Sequence, residues 1–331
     1  MSDQQVTDPT LDKSFEQACA LLQNVKTEIK KVLIGQDEVI DHVLVALVGE
    51  GHVLLEGVPG LGKTLLVRAL ATCFGGEFSR VQFTPDLMPS DVTGHAMFNM
   101  AEQKFEVRKG PAFTNLLLAD EINRAPAKTQ AALLEVMQEG QITIEGESFK
   151  TLQPFMVLAT QNPVEQEGTY PLPEAELDRF MLKVGMDYPL EGDELKMIKQ
   201  LSSGSSATGF DLDGLKSLIK SSQVSTLRKI ASKITIDDEV LSYIVALVRS
   251  TRTWQGIARG AGPRATIALM SAARALALLR GNTFVTPDDV KEIYLPALRH
   301  RILLSAELEI EGISTDQVLT NILQKTEAPR K

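Results

Sequence analysis

Aromatic side chains are scarce in this sequence, 5% of the chain with a single Trp. Base stacking on an aromatic platform has little to draw on. Positive charge is also outnumbered: 34 Lys and Arg stand against 43 Asp and Glu, a formal net charge of -9. That disfavours surface-wide attraction to nucleic acid or anionic lipid and leaves room only for a local basic groove. No run approaches the roughly 18 apolar residues of a membrane helix. The nearest, from Val43 to Leu55, is broken by Glu50, so no membrane insertion is expected. The polar start, MSDQQVTDPT, has no hydrophobic signal region, and the expectation is a cytoplasmic chain. Only two cysteines occur, Cys19 and Cys73, far apart in segments that read as helical. They are expected to be small apolar residues of a reducing compartment rather than a disulfide. The four histidines, His42, His52, His95 and His300, lack ligand spacing, which disfavours a zinc site built from protein side chains.

What is present is ordinary globular material: 44% hydrophobic and 23% charged residues in 331, enough for roughly two domains. Apolar spacing of three and four predicts a helix over 11–33, and a second follows Gly35 over 36–48. Short apolar runs then alternate with helical segments. Strands are predicted at 52–56 (HVLLE), 78–82 (FSRVQ), 115–120 (NLLLAD), 155–160 (FMVLAT) and 181–185 (MLKVG). Runs such as NLLLAD and FMVLAT lack alternation, as central strands of a parallel sheet do when both faces are buried. Two hairpins are predicted within this pattern, at 94–109 and at 141–150 with Glu145-Gly146 at the turn. Beyond Tyr188-Pro189 strand signals vanish. Thr235 to Asp238 and Thr286 to Asp289 both fit the capping-box pattern, with Pro287 at the first helical position of the second. The stretch 202–209 (SSGSSATG) reads as a flexible loop. The expected organisation is an α/β domain over 1–187 and an all-helical domain over 188–331.

One motif dominates the chemistry. Gly57-Val58-Pro59-Gly60-Leu61-Gly62-Lys63-Thr64 matches G-x-x-x-x-G-K-[ST], follows a predicted strand and opens a helix beginning with Leu65. Glycines let the backbone wrap phosphates, and the amides point inward at a helix N-terminus. Lys63 is expected to contact the β- and γ-phosphates of a nucleotide, and Thr64 to give a hydroxyl to Mg²⁺. Some 55 residues on, Leu116-Leu117-Leu118-Ala119-Asp120-Glu121 describes a buried strand ending in two acids. Asp120 there suits a Mg²⁺ shell, and Glu121 can polarise an attacking water. Ala159-Thr160-Gln161-Asn162-Pro163 ends another apolar strand, where the Asn162 amide could orient that water; taken alone, Asn-Pro is a turn signal. Two arginines stand beside helix boundaries, Arg179 in LDRF and Arg264 in GPRA. A lone Arg is usually a solvated surface residue, yet phosphoryl transfer needs cations on the charge that spreads over the moving group.

These strings, together with LLLADEINRAPAKTQAALLEVMQEGQITI and ATQNPVEQEGTYPLPEAELDRF, resemble the MoxR group of AAA+ ATPases, and the likeness extends from about Val32 to Arg301. The resemblance implies a AAA+ α/β core with a helical lid, binding of ATP and Mg²⁺, and a homo-oligomeric ring, typically hexameric. By similarity 57–64 is Walker A, Asp120-Glu121 Walker B, Asn162 sensor 1, Arg179 the arginine finger and Arg264 sensor 2. Arg124 is the alternative for the finger. Ile34-Gly35-Gln36 matches the segment that lies against adenine, the hairpin at 94–109 the helix-2 insert, and that at 141–150 the hairpin before sensor 1. GAGPRA replaces the frequent GASPRA but keeps its Arg. The resemblance further implies a chaperone-like remodeller of protein complexes, with a partner bearing a von Willebrand factor A domain.

Three other functions compete. A nucleic-acid translocase would want basic hairpins, but Lys104, Arg108 and Lys109 are met by Glu102 and Glu106, and Lys150 by Glu145 and Glu147. A non-hydrolysing scaffold is disfavoured by the presence of both Asp120 and Glu121. A magnesium-chelatase-like motor subunit would differ in its partner rather than in this chain.

Overall fold

The structure, a computed structural model, describes residues 9–58, 60–162, 169–203, 212 and 214–329. Two helices, α1 (Pro9–Lys30) and α2 (Asp37–Val48), lead into β1 (Val53–Glu56) and α3 (Lys63–Phe74). β2 (Phe78–Gln82) and the short α4 (Pro89–Thr93) precede a hairpin, β3 (Gly94–Asn99) and β4 (Lys104–Lys109). β5 (Leu116–Asp120), a 3₁₀ turn (Ile122–Arg124) and α5 (Ala127–Glu139) come next, then a second hairpin, β6 (Gln141–Ile144) and β7 (Glu147–Lys150). β8 (Met156–Gln161), α6 (Glu174–Leu177) and β9 (Leu182–Gly185) complete the α/β part. After it come α7 (Glu191–Ser203), α8 (Ser221–Ser232), α9 (Asp238–Ser250), β10 (Ile257–Arg259), α10 (Pro263–Arg280), α11 (Pro287–Leu298), β11 (Leu303–Leu304), α12 (Ala306–Ile310) and α13 (Thr315–Lys325).

The five predicted strands form one parallel sheet in the order β2-β5-β8-β1-β9. Successive side chains of a strand point to opposite faces. Val53, Leu55, Leu116, Leu118, Met156 and Leu158 face α1–α3 and the C-terminal helices. Leu54, Leu117, Ala119, Val157 and Ala159 face the other way, onto α4, α5 and β6. Both faces are covered, so the runs read as continuous apolar stretches. Truncating a fully buried leucine such as Leu117 to alanine would cost roughly 2–5 kcal/mol.

The first apolar cluster crosses between the two ends of the chain. α10 is enclosed by α1, α2, α8, α9 and α11. Gln23 Nε2 donates to Leu279 O at 2.6 Å and Cys19 Sγ to Leu278 O at 3.2 Å, tying α1 to the end of α10.

Three local details differ from expectation or sharpen it. The Thr286 capping box forms, with Asp289 N–H donating to Thr286 Oγ1 at 3.2 Å and Thr286 N–H to Asp289 Oδ2 at 2.9 Å. The Thr235 box does not. α9 is capped by Asp237, which accepts from Glu239 N–H at 3.0 Å, while the Thr235 backbone exchanges hydrogen bonds with Thr283 and Val285. The strand-free expectation beyond residue 188 is corrected by the antiparallel β10–β11 pair, too short to carry a periodic signal. Residues 204–209 of the predicted loop lie outside the described residues.

Candidate active site

Parallel pairing brings the C-terminal ends of β1, β5 and β8 to one edge of the sheet, where open α/β sheets bind ligands. Register aligns Glu56 with Gln161, and Gln82 with Asp120. Gly57 N–H continues the ladder to Gln161 O at 3.3 Å before the chain turns into the loop. Gly60 and Gly62 take φ of +89° and +87°, conformations that side chains resist, and α3 begins directly after Gly62. Pro59 lies outside the described residues.

Lys63 is half-buried. Its ammonium donates to Gly57 O and, at 3.2 Å, to Gln161 O. Burial pulls its pKa down, opposed by Asp120, Glu121 and Glu56. The lysine is thus held on backbone carbonyls at the loop mouth, facing the acids of β5. Thr64 follows as the second residue of α3.

Asp120 closes β5, and Glu121 sits after it with φ of +54°. A non-glycine residue in that region is a strained choice of order 1–3 kcal/mol, kept where the surroundings over-determine it. Thr160 does so here. Its Oγ1 donates to Asp120 Oδ1 at 2.6 Å and accepts from Glu121 N–H at 2.8 Å. Arg80 Nη2 donates to Asp120 Oδ2 at 2.7 Å and Gln82 Nε2 to Glu121 Oε2 at 2.7 Å. Arg124 Nε approaches the same Glu121 oxygen at 3.1 Å. Asn162 is buried immediately after β8.

Sequence reasoning missed Arg80, Gln82 and Thr160. The first two alternate on β2 and so share a face, and Thr160 stands two residues before Asn162 in the string that suggested the amide. Strand order and register turn those positions into a site.

Beside the loop lies an apolar cleft of about 500 Å³ lined by Ile34, Leu61, Leu65, Tyr188, Met197 and Ile198. Its walls suit a flat aromatic base, and the left-handed glycines with Lys63 suit a polyphosphate, so the residues present fit a nucleotide. Gly35 lines an adjoining polar cavity that shares Gln36 and Tyr188 with this cleft.

The two predicted arginines lie apart from this network. Arg179 donates through Nη1 to Leu134 O at 2.6 Å, while its Nε is buried and has no partner among the described residues. It is not the solvated side chain that a lone Arg suggests. Arg264 is exposed at the start of α10; burial lowers the pKa of Arg301, Asp178 opposes that shift, and the charge of Arg264 adds to it. Val58 and Leu61 lie in the loop between β1 and α3.

Residues 52–182 match the family described as "ATPase family associated with various cellular activities (AAA)", and residues 249–322 match "AAA lid domain". The chain is 43% identical over 309 residues to the uncharacterized YeaC protein of Bacillus subtilis, covering 93% of this chain and 95% of that one. It is 41% identical over 320 residues to chaperone MoxR1 of Mycobacterium tuberculosis, covering 93% and 82%. Likeness to magnesium-chelatase subunits is more distant. The crystal structure of a candidate ATPase from Cytophaga hutchinsonii superposes with a TM-score of 0.89 at 42% identity, over 97% of this chain and 98% of that one.

Proposed function

This chain belongs to the MoxR family of AAA+ ATPases and hydrolyses ATP; from that premise we propose that it works with Mg²⁺, in a ring of its own copies, as a cytoplasmic chaperone-like remodeller of a protein complex. The observation that carries the reading is the convergence of Lys63, Asp120 and Glu121 at one sheet edge beside a left-handed glycine loop.

ATP supplies the phosphoryl group, and Mg²⁺, when bound, would neutralise the negative charge that develops on its oxygens. Lys63 exchanges its two carbonyl partners for phosphate oxygens. Thr64 and Asp120 would hold the metal shell, with Arg80 and Thr160 fixing the carboxylate of Asp120. Glu121 is the base: its Oε2 gives up its bonds to Gln82 and Arg124 and takes a proton from the water that attacks the γ-phosphorus, while the bond to the β-phosphate oxygen breaks and ADP leaves. Asn162 orients that water. Arg264 senses the γ-phosphate from the lid of the same chain. Arg179 completes neutralisation at a neighbouring subunit's site, which makes turnover depend on assembly. A hexamer is the ring size we favour. Residues 1–187 form the nucleotide-binding part and 188–331 the lid.

The hairpin β3–β4 favours a protein client over nucleic acid. Lys104 is ion-paired with Glu102 and Glu106, and Lys109 stands 5.2 Å over the Phe113 ring. Apolar side chains protrude beside these charges: Met100 and Phe105 are 86% and 74% exposed. Among the described residues no helix is long and apolar enough to cross a membrane. A von Willebrand factor A domain protein is the partner class we expect. The test is Glu121→Gln, which should bind ATP, stop turnover and retain client on affinity capture. Wild-type turnover by that variant would refute the base assignment, and capture of nucleic acid in place of protein would refute the remodeller.

A further inference from the structure

Arg179 lies in the short segment that leads from α6 to β9, and side chains from the lid grip that segment on both sides of it. Arg259 of β10 pairs with Glu174 at the start of α6, just before that segment. His300 Nε2 lies 2.9 Å from Phe180 O, and a carbonyl only accepts, so this nitrogen carries the proton. Arg301 makes the fullest set of bonds. Its Nε donates to Asp178 Oδ1 at 2.6 Å. Its Nη2 donates to Asp178 O at 3.2 Å and to Phe180 O at 2.7 Å. Its Nη1 donates to Met181 O at 3.1 Å and to Ala297 O in the last turn of α11. Each of the guanidinium's N–H groups is engaged, and the side chain is only 3% exposed.

A planar fork with every donor used fixes geometry more tightly than a flexible ammonium can. Here it fixes the carbonyls of the residues immediately before and after Arg179. The Asp178 carbonyl lies in the peptide plane that enters Arg179 and the Phe180 carbonyl one plane beyond the one that leaves it, so the backbone is anchored on both sides and the direction of the Arg179 Cα–Cβ bond is constrained. The grip also comes from outside the AAA match, since Arg301 lies within 249–322 and the gripped residues within 52–182.

We propose that Arg301 is a positioning residue for Arg179, through which the lid sets the direction of the arginine that one subunit offers to the next. The inference rests on Arg179 acting in trans, as argued above.

The test uses the full chain. Arg301→Lys keeps the charge beside Asp178 but cannot reach all the carbonyls. It should bind a fluorescent ATP analogue about as tightly as wild type while kcat falls tenfold or more. Mixed with Glu121→Gln, whose own site is dead but whose Arg179 is properly held, Arg301→Lys should regain turnover several-fold above either protein alone. A general folding defect or damage to the pocket of the same chain would not be rescued this way. Arg179→Ala mixed with Glu121→Gln runs in parallel. If that pair is rescued and Arg301→Lys is not, or if Arg301→Lys alone turns over at the wild-type rate, the positioning role is overturned while the trans assignment of Arg179 stands. If Arg179→Ala is not rescued, the trans assignment fails and the proposal with it. Should Arg301→Lys not fold, Asp178→Ala removes the Nε acceptor from the partly exposed side and is judged by the same comparisons.

Discussion

Thr160 Oγ1 donates to Asp120 Oδ1 at 2.6 Å, a bond between the ends of two adjacent parallel strands. The same oxygen accepts the Glu121 N–H, so one hydroxyl holds both acids in place. Thr160→Val keeps the shape and removes both bonds. We expect kcat to fall at least tenfold with nucleotide affinity changed little, and stability to drop by about 1–3 kcal/mol. Steady-state ATPase assays and chemical denaturation check this; an unchanged kcat would remove Thr160 from the site.

Lys63 and Glu121 should separate binding from turnover. Lys63→Ala takes away the cation aimed at the phosphates and should abolish binding of a fluorescent ATP analogue. Glu121→Gln should leave that binding intact and reduce turnover a hundredfold or more, within the roughly 10²–10⁴-fold that a general base supplies. Equal binding by the two variants would contradict the assignment of Lys63.

Arg179 and Arg124 compete for the trans role. Arg124 is occupied by Glu121 of its own chain at 3.1 Å. Arg179→Ala and Lys63→Ala should each be inactive, and a mixture should recover ATPase, because an arginine finger contributes roughly 10³–10⁵ in rate. Native mass spectrometry confirms co-assembly. Co-assembled but inactive mixtures would move the role to Arg124.

Acid should destabilise the fold before most carboxylates titrate. Burial pushes His42 and His52 down to about 4, and His300 well below its usual value. For His52 the chemistry is explicit: Nδ1 accepts the Val157 N–H at 3.0 Å, and a proton there would break that bond. Below about pH 6.5 the unfolded chain binds protons that the folded chain refuses. Stability then falls with pH by up to about 1.4 kcal/mol per unit for each histidine, until the folded values of His42 and His52 are reached near pH 4. Melting temperatures from pH 7.5 to 5 should decline throughout the lower part of that range. His300→Gln, which keeps a neutral donor for Phe180 O, should flatten the decline. A melting temperature constant over the range would contradict the argument.

Nucleic acid should not bind tightly at physiological salt. Fluorescence anisotropy with labelled single- and double-stranded DNA should give no micromolar complex. A complex weakening steeply with added salt would favour the translocase.

The sheet was legible because burial on both faces leaves its mark in one dimension, as in LLLAD. The phosphate loop was legible because a tight loop followed by a helix needs glycines at fixed spacing. Arg80, Gln82 and Arg301 were not. Their partners are 40, 39 and 123 residues away along the chain, and only the register of β2 on β5, or the docking of the lid, brings them together. Thr235 shows the opposite failure. Its pattern equals that of Thr286, but a backbone bridge to Thr283 and Val285 claimed the residue, and Asp237 capped the helix instead. The β10–β11 pair escaped because two or three residues cannot show a period.

The stitching of Gln23 and Cys19 to the end of α10 bears on cooperativity. The AAA and lid matches are separate stretches of sequence, yet α11 of the second packs on β9, where the first ends, and α1 and α2, which precede the first, pack on both α10 and the AAA part. Melting either stretch alone would expose the surface that the other had covered. Calorimetry of the full chain should therefore record one transition, with calorimetric and van't Hoff enthalpies in agreement, and a cut near residue 187 should yield two pieces that aggregate rather than two that fold.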